Sequence, residues 1–106
     1  MRRFAFSIMA VLLATPGFAA DIVLTVNNQS SQPVDAMSVY PVKADGTIID
    51  DNIGGFYDPV APGGVGTADL STTRCGNVYV RLSLSNSEEL TSIIDTCTQT
   101  TLVVTD

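Results

Sequence analysis

A chain of 106 residues with 11 acidic and five basic residues, a formal net charge of −6 and no histidine is excluded from several functions at the outset. With so few cations it has no electrostatic footprint for nucleic acid or for an anionic lipid surface. Without imidazole it lacks the usual general base, the Ser-His and Cys-His nucleophile pairs, and histidine-based zinc or copper sites.

The N-terminus reads as a secretion signal. Two arginines, Arg2 and Arg3, precede an apolar run from Phe4 to Ala14, and Thr15-Pro16-Gly17 then breaks any helix. The small residues Ala19 and Ala20 follow, and then the first acid, Asp21. This is the order of positive, apolar and cleavage regions. The run is shorter than the ~20 residues needed to span a bilayer as a helix, which disfavours a signal anchor. Cleavage after Ala19 puts Gly17 and Ala19 at the two small-residue positions, so residues 1–19 are expected to leave and 20–106 to form one domain. No cysteine follows the run to carry a lipid, so no membrane anchor is expected after cleavage. Removing the signal leaves Lys43, Arg74 and Arg81 against all 11 acids, a net charge of −8. Such a field maintains solubility and steers basic partners or divalent cations toward the domain.

Along the remaining chain, β-branched residues in period-two alternation outweigh any helical periodicity. The first strand falls at 22–27 (Ile22, Leu24 and Val26 on one side) and the second at 34–42, joined by the polar turn 27–33 and expected to form a hairpin. Residues 43–64 are irregular. Asp45-Gly46 marks a turn, Thr47-Ile48-Ile49 offers a short strand, and Gly54-Gly55 and Pro62-Gly63-Gly64 punctuate. A strand at 65–70 follows, with a bulge expected at Gly76. The last hairpin is the clearest: Val78, Val80, Leu82 and Leu84 alternate with Tyr79, Arg81, Ser83 and Ser85, and the chain returns over 90–97. Residues 100–105 form a final strand. The expected fold is all-β, a small antiparallel β-sandwich or partly open barrel of six or seven short strands with one disulfide.

Cys75 and Cys97 are the two cysteines, and an exported chain of this size is expected to pair them. Position 86, midway between them, lies in the connection Asn86-Ser87-Glu88-Glu89, so a hairpin turning there sets the sulfurs opposite each other at its open end. The bond would close a loop worth roughly 3 kcal/mol in the chain-entropy model.

With both thiols consumed, oxygen chemistry remains. Asp45, Asp50, Asp51, Asn52 and Asp58 fall close together among glycines, the donor type that calcium takes. They match no D-x-[DN]-x-[DN]-G loop, and a solvated acidic loop is the simpler reading. Two of these carboxylates have the chemistry of a glycoside-hydrolase acid/base pair, although so small a domain rarely encloses the cleft. Tyr79, Arg81, Thr91 and Ile93 would share the face of the last hairpin opposite Val78 and Leu82, a contact patch if that face is exposed. Asn28-Gln29-Ser30 fits the N-glycosylation triplet, which is common by chance.

The order of features resembles small exported two-cysteine β-domain proteins of Gram-negative bacteria, for which no activity is established. The likeness rests on Val26-Asn27-Asn28, Val39-Tyr40-Pro41, Asn52-Ile53-Gly54-Gly55, Ala61-Pro62-Gly63-Gly64 and the cysteines flanking Val78-Tyr79-Val80-Arg81. Asp50-Asp51 stands where such relatives often carry Trp-Gly. The resemblance implies a compact β domain outside the cytoplasm. The reading is therefore a periplasmic or secreted interaction or accessory module without a cofactor, binding a protein partner through its acidic surface or a strand edge. Calcium binding by the 45–58 loop and a carboxylate-based hydrolase are the alternatives.

Overall fold

Alternation along each strand decides which side chains meet. The computed structural model describes the backbone of residues 3–7 and, in full, residues 22–106. Among the described residues eight strands run in chain order: β1 (Arg3–Ser7), β2 (Val23–Gln29), β3 (Val34–Pro41), β4 (Gly54–Phe56), β5 (Val65–Asp69), β6 (Asn77–Leu84), β7 (Glu89–Asp95) and β8 (Thr101–Thr105). The body is all-β. Seven strands make two sheets, β8-β2-β5 and β4-β3-β6-β7, and β1 adds to the free edge of β8. The cleavage point after Ala19 and the rest of the N-terminal run lie outside the described residues.

The core lies between the sheets. Leu24 and Val26 of β2, Met37 and Val39 of β3, Val80 and Leu82 of β6, and Leu102 and Val104 of β8 are all buried. In β6 the alternation is complete, with Val78, Val80, Leu82 and Leu84 inward and Tyr79, Arg81 and Ser83 outward. In β3 it is re-phased by a bulge between Val34 and Ala36, so Val34 and Met37 both point inward although three positions separate them.

Four sequence expectations change. β2 and β3 do not form a hairpin: β2 pairs with β5 and, in parallel, with β8, while β3 pairs with β4 and β6. The end of β2 is already engaged, because Asn28 donates its N–H to the Gly64 carbonyl and accepts from the Gly63 N–H. The connection therefore crosses between sheets. The stretch 47–49 is not a strand; Ile48 makes an isolated bridge to Val42. Gly76 is no bulge, since Thr96 donates its N–H to the Gly76 carbonyl at 2.9 Å and extends the β6–β7 register.

The fourth change is β4, whose Gly54-Gly55 reads as punctuation. Gly55 has φ +151°, and a Cβ there would overlap the Met37 carbonyl; one on Gly54 would lie 2.7 Å from the Asp69 carbonyl oxygen. These glycines let β4 pass between β3 and the end of β5 at backbone distance. They are a close approach, not a turn.

Candidate functional site

The β6–β7 hairpin positions the predicted contact residues. Asn77 faces Asp95 and Ser83 faces Glu89, and the same register carried outward sets Cys75 against Cys97. The two are disulfide-bonded with Cα atoms 4.9 Å apart, at the open end of the hairpin as expected. Below the bond, the Thr96 hydroxyl accepts from the Gly76 N–H at 3.0 Å and donates to the Gly76 carbonyl at 3.1 Å. Covalent and polar links thus clamp the same end.

On the outer face of this hairpin Tyr79 stands directly opposite Ile93, and Arg81 opposite Thr91. Ile93 is 49% exposed, a large apolar side chain held in solvent by the alternation that buries Ile94. Arg81 forms an exposed ion pair with Glu89, which raises the guanidinium pKa first by hydrogen bonding and then by charge. The structure adds a residue that the sequence could not place. Tyr40 on β3 lies opposite Tyr79, their ring centroids 6.2 Å apart at 44°. Tyr40, Tyr79 and Ile93 therefore form one row across three neighbouring strands, and Ser38, Arg81 and Thr91 form the next. Nothing local to Tyr40 reveals this, because it depends on β3 pairing with β6 rather than with β2.

No family model, curated protein or solved structure matches this chain.

The acidic loop residues are not brought together. Among the described residues no three of its acids, cysteines or histidines form a group able to hold a metal ion. Asp45 accepts the Thr47 N–H at 3.0 Å, and bonds from the Thr47 backbone and side chain hold its carboxyl below the ordinary value. Asn52 accepts the Gly54 N–H at 2.9 Å and so helps to start β4. Asp50, Asp51 and Asp58 are exposed. Of three shallow hollows of about 200–280 Å³, one is lined by Asp58, one by Asn52 and one by neither. None of the three is lined by two of these carboxylates.

Of the buried polar residues Asn28, Ser30 and Thr96, the one that sits fully inside is Asn28, whose amide is therefore not accessible to carry a sugar. Its amide donates to the Gln32 carbonyl at 2.8 Å and to the Val60 carbonyl at 2.9 Å. Its oxygen accepts from the Ser30 N–H at 3.0 Å and from the Ser30 hydroxyl at 2.7 Å. All four hydrogen-bonding positions of the side chain are filled. The signal was its inward phase on β2, two positions beyond Val26.

Proposed function

We propose that the chain is an exported protein-interaction or accessory module, working in the periplasm or outside the cell after loss of residues 1–19. The observation that carries this reading is the outward-facing row of half-buried Tyr40 and Tyr79 and exposed Ile93 beside Arg81, in which Tyr79, Arg81 and Ile93 lie on a hairpin clamped by the Cys75–Cys97 bond. Aromatic, arginine and large aliphatic side chains on a rigid support are the groups that anchor protein interfaces. Pre-ordering by the disulfide and the sheet lowers the entropy lost when a partner docks. A disulfide also suits an oxidising compartment.

The test is site-specific photo-crosslinking in cells that export the protein, with the crosslinker at Ile93 and, as a control, at the exposed Thr98. A defined adduct at Ile93 that is absent at Thr98 supports the reading. Identical adduct patterns at both positions, or none at either, overturn it.

A further inference from the structure

We propose that β8 is a strand-acceptor edge that, in the exported chain, takes up an extended basic segment of a partner polypeptide in antiparallel register. The proposal concerns a different surface from the β6–β7 face, and it rests on residues 1–19 being removed as a signal.

The edge has a definite backbone geometry. On its inner side β8 runs parallel to β2, and Thr25 donates its N–H to the Thr100 carbonyl at 2.8 Å. Backbone groups alternate along a strand, so the N–H and C=O of Val103 and Thr105 face away from β2. In the full chain β1 lies against that side, antiparallel, with Arg3 opposite Thr105, Ala5 opposite Val103 and Ser7 opposite Thr101. When the signal leaves, β1 leaves with it. The outward groups of β8 then have no strand beside them.

Free strand edges are normally protected by charge, proline, a bulge or shortness. β4 is only three residues long, and the edge of β5 lies beside β4, with Ser71 donating its N–H to the Ile53 carbonyl. β7 carries Glu89 and Asp95 at its ends. β8, Thr-Leu-Val-Val-Thr, contains no charge, no proline and no bulge. It is also anchored just past its end, where the Asp106 carboxylate accepts the Ser31 N–H and hydroxyl at 3.0 Å. Uncharged, regular and anchored, it is an edge suited to strand addition.

Charge selects the occupant. The processed chain has three basic residues against 11 acids, so two copies repel each other, and a five-residue edge pair offers little area to offset that. A basic strand is attracted. The segment seated on β8 in the full chain supplies the pattern: an arginine opposite Thr105, next to Asp106, and apolar residues in register with Leu102 and Val104.

The test starts from protein exported by cells and purified with its disulfide intact, its intact mass read first. The probe is a synthetic acetylated peptide of residues 2–8 (Arg-Arg-Phe-Ala-Phe-Ser-Ile), titrated while backbone amide NMR shifts are followed. The expected result is perturbation centred on Val103 and Thr105, weakened at least tenfold by Val103→Pro in the protein or by Ala5→Pro in the peptide. Proline at 103 removes only an outward N–H, so the β2–β8 ladder survives; the Ala5→Pro peptide keeps the test decisive if the protein variant does not fold. A purified product that retains residues 1–19 overturns the processing on which the proposal rests. A processed product whose β8 amides ignore the peptide, or bind the Ala5→Pro peptide equally well, overturns the proposal itself. So does a dimer in sedimentation with β8 already protected, which would assign the edge to a second copy.

Discussion

Replacing Asn28 tests whether a polar side chain inside an apolar core holds this fold together. Asn28→Ala removes four hydrogen bonds, but their loss is uneven. The Val60 carbonyl keeps the Val34 N–H at 3.0 Å, and the Ser30 hydroxyl, which has one proton to give, turns it from the lost Asn28 oxygen to the Gln32 carbonyl at 2.9 Å. The Ser30 N–H, on a buried residue, loses the Asn28 oxygen that it bonds. Stranding such a donor costs ~1–3 kcal/mol, and the other three bonds, whose partners keep or find another, together cost ~1 kcal/mol net. The sum is about 3 kcal/mol, a large share of the ~5 kcal/mol at the low end for natural domains. With a urea slope near ~1 kcal/mol/M for so small a chain, the unfolding midpoint should fall by ~3 M. Asn28→Asp sharpens the test, since it preserves shape and both bonds from Ser30 but turns a carboxylate oxygen toward two carbonyls. It should cost more than Asn28→Ala at neutral pH, and the gap should narrow in acid as the carboxyl protonates. Urea unfolding of the three proteins at two pH values decides it. A loss below ~1 kcal/mol for Asn28→Ala, or an Asn28→Asp protein as stable as the parent, would refute the reasoning.

Three further outcomes follow from the same structure. Breaking the hairpin clamp by Cys75→Ser with Cys97→Ser should cost roughly 3 kcal/mol in urea unfolding, and an unchanged midpoint would contradict a structural role. Gly55→Ala must place a Cβ on the Met37 carbonyl, so it should cost at least ~2 kcal/mol; thermal unfolding reads this, and a neutral substitution would remove the argument that β4 needs glycine. Asp45 titrates lower folded than unfolded, so its contribution is present above 3.8 and lost as pH falls through the lowered value. The melting temperature of the parent should therefore drop more steeply below pH 3.8 than that of Asp45→Asn, and parallel curves would contradict the Thr47 contact.

The fold was legible where alternation and turn chemistry agreed. In β6 four inward aliphatic residues, a polar turn centred on position 86 and two equidistant cysteines all specified one register, and the structure has it. The partners of β2 and β3 were not legible. Nearness in sequence favoured a hairpin, but the Asn28 backbone is committed to Gly63 and Gly64, a long-range pairing that no local pattern encodes. Glycine misled for a physical reason: the same residue serves a tight turn at Gly63, with φ +82°, and a crowded strand at Gly55. The contact face was half visible. Tyr79, Arg81 and Ile93 came from the hairpin phase, whereas Tyr40 joined them only through the β3–β6 register.

Amide hydrogen exchange on β8, compared between the full chain and a chain of residues 20–106, tests most directly whether loss of residues 1–19 opens an edge. The N–H groups of Val103 and Thr105 should be protected while β1 is attached and exchange freely once residues 1–19 are gone. Those of Leu102 and Val104, which face β2, should stay protected in both. Equal protection of Val103 and Thr105 in the two forms would contradict the account.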